Sequence, residues 1–165
     1  MESLLLCSGP LRHRATKVWE QLSDFTIRRL RFARTWNAQS YLRYDSSMFS
    51  ELVLDHFRNP RNAGKVPKAS AEVQATNPVC GDILELSVRI ENDGIAEARF
   101  LCRGCTTSIA CASFLTEQLT GNTLASARLI TPETISEALG GLPPATFHGA
   151  QLAADALAIV LAKLA

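Results

Sequence analysis

The chain has 165 residues, is 47% hydrophobic and 20% charged, and carries a formal net charge of +1. This length sets one domain as the default and the composition is that of a soluble globular protein. A charge so near neutral gives no electrostatic basis for a nucleic-acid or membrane partner. The charge is uneven, however: residues 1–47 carry eight Lys or Arg against four Asp or Glu, and the remainder carries nine against twelve.

The first 47 residues read as a basic N-terminal extension. Arg28, Arg29, Arg31 and Arg34 crowd together, and Trp19, Leu22, Phe25, Ile27, Leu30 and Phe32 match a helical stripe only in part. A disordered segment, a presequence or a misassigned start is expected, with Glu20, Asp24 and Asp45 counting against the presequence. Leu4-Leu5-Leu6-Cys7 is too short for the apolar core of a signal peptide, and no apolar run approaches the roughly 20 residues of a membrane span.

Residues 48–165 form the folded body. Phe49, Leu52, Val53 and His56 or Phe57 recur at helical spacing behind Ser50-Glu51. Asn59-Pro60-Arg61-Asn62-Ala63-Gly64 then stops the helix in an exposed loop. Three strands are expected, over Ala71–Thr76, Ile83–Ile90 and Ile95–Leu101. In the second, Leu84, Leu86, Val88 and Ile90 share one face, while Glu85, Ser87 and Arg89 share the wet one. In the third, Ala96, Ala98 and Phe100 alternate with Glu97 and Arg99. Glu91-Asn92-Asp93-Gly94 between these two is a hairpin turn, because Asn and Gly tolerate positive φ.

After Cys105 the period becomes helical, with Ile109, Ala112, Leu115, Thr116 and Leu119 in one stripe ended by Gly121-Asn122. A shorter helix runs from about Pro132 to Leu139, with Thr131 as its N-cap. The last helix begins near His148 or Gly149 and turns Leu152, Ala156, Leu157, Ile159, Val160 and Leu164 inward. The implied fold class is α+β: a small, about three-stranded antiparallel sheet with helices packed on one face.

The candidate chemistry lies at the junctions of these elements. Cys80 and Asp82 enter the second strand, Cys105 stands where the third strand turns into a helix, and His148 opens the last helix. A thiol at a helix N-terminus is biased towards the thiolate that binds metal. Two thiolates and an imidazole suit iron–sulfur or zinc chemistry, and a carboxylate can complete the set. Spacing alone leaves a four-ligand site and a set of ordinary turn and capping residues about equally open. The five cysteines are odd in number and do not follow a disulfide framework, which points to a reducing compartment. Cys7 and Cys111 read as small buried hydrophobes. Cys102 spells C-x-x-C with Cys105, and its core reading leads its reading as a substitute ligand by about two to one.

Several stretches resemble one family. Asp55-His56-Phe57-Arg58-Asn59-Pro60-Arg61-Asn62, Asn77-Pro78-Val79-Cys80-Gly81-Asp82, Gly104-Cys105 with Ser108-Ile109-Ala110, and Leu142-Pro143-Pro144 with His148 are similar to the iron–sulfur cluster assembly scaffolds, IscU and the N-terminal domain of NifU. The resemblance covers residues 48–165. It implies a scaffold and not an enzyme in the usual sense. Such a scaffold takes iron from a donor and sulfur from a cysteine desulfurase, and holds a transient [2Fe-2S] cluster. It then passes the cluster to apo iron–sulfur target proteins.

The same resemblance implies Cys80, Asp82, Cys105 and His148 as cluster ligands, with zinc as another occupant of these positions. It implies the bacterial cytoplasm, or alternatively the mitochondrial matrix. Two departures stand out. The family has a cysteine directly after the histidine, where this chain has Gly149. The loop after Pro144 reads Ala145-Thr146 and lacks the Val-Lys pair of the branch served by an Hsp70-type chaperone, so that partner is not expected. The missing thiol keeps two other readings open: a zinc-binding or metal-free regulatory protein that docks a desulfurase, and a zinc-dependent sulfur-transfer protein with Cys105 as nucleophile.

Overall fold

The structure, a computed structural model, describes residues 48–165. The expectations for residues 1–47, Cys7 included, lie outside the described residues. Helix α1 (Glu51–Arg58) is followed by strands β1 (Ala71–Thr76), β2 (Ile83–Glu91) and β3 (Gly94–Arg103). Helices α2 (Thr106–Leu119), α3 (Leu124–Ala127) and α4 (Pro132–Ala138), a 3-10 turn (Pro144–Thr146) and helix α5 (His148–Lys163) complete the order. The strands make one antiparallel sheet in the order β1-β2-β3. Helix α5 packs against β1 and β2, and α2 against β3, so the fold is the expected α+β arrangement.

Period-two patterning sets the sheet's inner face. Ala71, Val73 and Ala75 of β1 stand opposite Val88, Leu86 and Leu84 of β2, and all six are buried. The β2–β3 turn places Asn92 at φ 51° and Asp93 at φ 61°. Two left-handed central residues match the twist of the flanking strands. Two details depart from simple alternation. Arg89 pairs with Glu97 while Ile90 pairs with Ile95, so Ala96 is an extra residue in a bulge. The bulge shifts the parity of β3 and buries Ile95 with Ala98 and Phe100, in place of Ala96.

Ser87, expected on the wet face, is also buried. The chain before β1 crosses that face: Val66 N–H donates to Ser87 Oγ at 3.0 Å, and the Ser87 hydroxyl donates to the Arg99 carbonyl at 3.3 Å. Beside it, Lys65 pairs with Glu72 and Glu85, and Glu97 with Arg89 and Arg99. Such solvated pairs contribute at most about 1 kcal/mol each.

The helices follow their expected spans with four corrections. In α1 the buried residues are Val53, Leu54 and His56, while Leu52 is 50% exposed. In α5 Ile159 is exposed. The short α3 and the 3-10 turn have no expected counterpart, being too brief to show a period. Finally, Pro144–Lys163 is long and apolar enough, by length and composition alone, to cross a membrane, contrary to the sequence reading. Here Leu152, Ala153, Ala156, Leu157 and Val160 of that stretch are buried against the sheet and α2, as in a core helix.

Helix α2 is central. It touches α1, α4, α5 and β3, and Ala110, Cys111, Ala112 and Ser113 are buried on it with almost no exposure. Small residues let neighbouring backbones approach closely. Burial pushes the Cys111 thiol up to about 12, which keeps it an inert packing group. Thr131 and Thr134 form a reciprocal capping box at α4, with Pro132 in its first turn, as the sequence implies.

The loop Asn59–Gly64 is pinned, not free. Ser113 Oγ accepts the Arg61 N–H at 2.8 Å and meets His56 Nδ1 at 2.9 Å. One hydroxyl thus joins α1, the loop and α2. Ser113→Ala would leave two donors or acceptors without this partner, and about 1–3 kcal/mol of stability should be lost, read as a lower urea midpoint. Burial first, and then the Arg61 charge, hold the His56 pKa below its usual 6.5, outweighing Glu117 and Asp55. The unfolded chain then takes up this proton more readily than the folded one. The contribution is therefore present above pH 6.5 and lost as pH falls through the lower folded value. Melting between pH 7.5 and 5.5 should show a downward slope that His56→Asn reduces.

Candidate metal centre

The loop between β1 and β2 is shaped by Asn77. Its side-chain carbonyl accepts the Val79 N–H at 2.9 Å and the Cys80 N–H at 3.3 Å. Its backbone carbonyl accepts the Gly81 N–H at 2.9 Å, and its own N–H reaches the Asp82 carbonyl at 2.9 Å. Gly81 sits at φ 75°, a left-handed position that a side chain would strain. The chain therefore reverses within a few residues, with Cys80 exposed at the bend and Asp82 returned to the start of β2. Asn77 is itself buried, and its amide donates to the His148 carbonyl at 3.5 Å, which ties this loop to α5.

Asp82 reaches the start of α2. One oxygen, Oδ2, accepts the Cys105 N–H at 3.0 Å and the Ser108 hydroxyl at 2.6 Å. Cys105 is the N-cap residue of α2 but makes no side-chain capping bond, so a carboxylate from another segment caps this helix. Gly104 makes the approach possible: a Cβ there would stand 2.8 Å from both Cγ and Oδ2 of Asp82. Burial raises the Asp82 pKa, but bonds from the Ser108 hydroxyl and the Cys105 N–H outweigh it and hold the carboxyl below its usual range.

The Cys105 side chain, which makes no capping bond, is half-buried at the helix end. Its sulfur lies 3.1 Å from Thr107 Oγ1, 3.3 Å from Ser108 Oγ and 3.6 Å from His148 Nε2. His148 arrives on the first residue of α5, and Gly149 behind it explains how closely. A Cβ at Gly149 would come within 2.9 Å of Ser108 N and of the Thr107 carbonyl carbon. The absent side chain lets the start of α5 lie directly on the first turn of α2.

Three long-range segments thus bring the four expected side chains into one neighbourhood. Ligand atoms of Cys80, Asp82 and His148 lie within 4.8 Å of one another, and Cys105 joins through His148. The 3.6 Å between Cys105 Sγ and His148 Nε2 is close to the ~3.5 Å spacing of a sulfur and a nitrogen ligand on one tetrahedral ion, given bonds of about 2.3 and 2.0–2.1 Å. Cys102 stands opposite Leu84 in the β2–β3 ladder and packs against the core. Burial, and then the nearby Asp82 carboxylate, push its thiol up to about 12, so it is held in the protonated form. Sequence reasoning names Asn77, Gly104 and Ser108 only as parts of motifs, with no role of their own, and passes over Thr107. The only signal for them was the glycine and the run of hydroxyls flanking Cys105.

Residues 48–165 match the family described as NifU-like N terminal domain. The iron-sulfur cluster assembly scaffold protein IscU 1 of Archaeoglobus fulgidus is 43% identical over 110 residues, 67% of this chain and 72% of that protein. The scaffold protein IscU of Aquifex aeolicus is 40% identical over 115 residues, 68% of this chain and 73% of that one. Among solved structures, a protein of Fervidobacterium islandicum AW-1 named as an iron-sulfur cluster assembly scaffold for the SUF system superposes with a TM-score of 0.57. It covers 71% of this chain and 98% of its own at 21% identity, a likeness of fold. With the family match over residues 48–165 and the relatives above in agreement, this chain belongs to the NifU-like N-terminal domain family.

Proposed function

We propose that the protein is an iron–sulfur cluster assembly scaffold, on which iron and sulfur meet as cargo and from which a [2Fe-2S] cluster leaves for apo target proteins. The observation that carries this reading is the convergence of two thiols, a carboxylate and an imidazole from three segments around the N-terminus of α2. Its relatives named as scaffolds support the same function. Cys80, Asp82, Cys105 and His148 would hold the cargo, four ligands being enough in number for a two-iron cluster. Asp82 supplies a hard oxygen that grips iron less durably than a thiolate does, which suits cargo that must leave.

The site's two halves differ in mobility of purpose. Cys105 and His148 are set by two packed helices, while Cys80 sits exposed beside Val79, which is 89% exposed. Iron would enter first between the helix-borne ligands, and movement of the Cys80 loop would make room for a second iron and for sulfide. An exposed thiol at a loop tip is also where a cysteine desulfurase could deliver sulfur. The protein acts in this reading as a carrier in a reducing compartment, without a catalytic cycle of its own.

One observation favours a second reading. Cys80, Asp82 and His148 offer three ligand atoms within 4.8 Å of one another and Cys105 stands 3.6 Å from His148, a compact set that favours a single zinc ion over a two-iron cluster. A zinc-holding protein that docks a desulfurase, or a zinc-dependent sulfur-transfer protein using Cys105, would keep that compact form.

Anaerobic reconstitution with ferrous iron, cysteine and a desulfurase separates these readings. The scaffold should develop the visible absorption of a [2Fe-2S] centre, and Cys80→Ser or Cys105→Ser should abolish most of it. A protein that stays colourless while retaining one zinc per chain would contradict the scaffold. Gly149→Cys tests whether the missing thiol is a defect. Its Cβ meets the backbone of α2, so a loss of about 1–3 kcal/mol from overpacking is expected, with no gain in cluster yield. Unchanged stability with a large gain in yield would instead mark the natural chain as an impaired scaffold.

A further inference from the structure

The carboxylate of Asp82 has two tasks, since the residue proposed above as a ligand is also the cap of α2. The Cys105 N–H and the Ser108 hydroxyl both fall on one oxygen, Oδ2. We propose that Ser108 is the positioning residue of the metal centre: its hydroxyl locks Oδ2 of Asp82 onto α2, so that a metal ion meets a preset, one-oxygen ligand. This inference rests on the reading of Asp82 as a ligand.

The chemistry of a single hydroxyl proton supports the assignment. Ser108 Oγ has two polar neighbours besides its own backbone, Asp82 Oδ2 at 2.6 Å and Cys105 Sγ at 3.3 Å. It has one proton to give, and the nearer, anionic oxygen takes it. Thr107 Oγ1 lies 3.1 Å from the same sulfur, so Ser108 serves the carboxylate while Thr107 is the hydroxyl nearer the sulfur.

Ser108 is the hydroxyl partner of Oδ2, beside the Cys105 N–H. It is 1% exposed, so water does not reach Oδ2 from its side. The start of α5 lies against its backbone, where even a Cβ at Gly149 would come within 2.9 Å of Ser108 N. Gly104 gives the carboxylate room to approach, since a Cβ there would stand 2.8 Å from Oδ2. The donor is thus backed by one helix, and the acceptor reaches it through the space one glycine leaves. A ligand so held needs no reordering when metal arrives. Removing the hydrogen-bond partner of a metal ligand typically lowers affinity 10–100-fold.

The test measures zinc affinity of the full chain by competition with a chromophoric chelator, for Ser108→Ala, Asp82→Ala and the double variant. Ser108→Ala should bind zinc about 10-fold more weakly, in line with other such partners. Asp82→Ala should lose at least as much, and the double variant should bind no more weakly than Asp82→Ala alone. With cobalt in place of zinc, Ser108→Ala should weaken the tetrahedral visible bands, because a freed carboxylate can bind through both oxygens. If Asp82→Ala weakens binding but Ser108→Ala does not, the positioning role falls and the ligand reading stands. If Asp82→Ala binds zinc as the natural chain does, both fall. An effect of Ser108→Ala that persists undiminished in the Asp82→Ala background would show general loosening of α2 and would also overturn the proposal.

Discussion

The bond from Asp82 to the first turn of α2 organises this molecule. A helix end that lacks its own cap leaves backbone N–H groups seeking partners. Here the partner comes from another segment, 23 residues earlier, and it draws the β1–β2 loop onto the helix. Everything chemical follows from that junction. Cys105 is released from capping and its sulfur meets His148, Cys80 is carried on the same tight loop as Asp82, and α5 lies on the turn to bring His148. The glycines at 104 and 149 are the steric conditions for these two approaches.

The arrangement also reconciles stability with exchange. The frame is made of buried, small-residue helix packing and a fully patterned sheet face, which do not depend on metal. The four candidate ligands stand at the ends of those elements, where backbone geometry aims them but solvent can still reach. A carrier needs a site that persists when empty and does not close permanently when full. In the proposed reading, the helix-borne Cys105 and His148 beside an exposed Cys80 and a carboxylate would meet that requirement. The substitution at Gly149 is part of the same packing, because the space for a third thiol is filled by the backbone of α2.

Much of this was legible in the chain, and the reasons are specific. The strands were readable because Ala71, Val73 and Ala75 alternate cleanly, and because Asn92-Asp93-Gly94 fixes the hairpin turn. The junction residues Cys80, Asp82, Cys105 and His148 stood out as candidates because thiol, carboxylate and imidazole lay at element ends, but placement alone left them level with ordinary turn and capping residues until the family resemblance singled them out. What escaped was whatever depends on a neighbour distant in sequence. Ser87 is polar and sits on the outer face, yet a crossing segment buries it. Ala96 lost its place to Ile95 through a bulge that no local pattern announces. Leu52 and Ile159 satisfy a helical stripe but lie outside the contact surfaces of their helices. Asn77 and Ser108 look like ordinary turn and helix residues until the fold sets them against His148 and Asp82.

The central claim is that this site receives a cluster and gives it up. The most direct measurement is transfer: protein reconstituted without oxygen is mixed with an apo [2Fe-2S] acceptor, and cluster arrival on the acceptor is followed by circular dichroism. The account expects the acceptor's spectrum to grow as the donor's fades, in equal amounts and faster than from free iron and sulfide. A cluster that forms on the protein and stays there, or an acceptor that fills no faster than from the free ions, would contradict it.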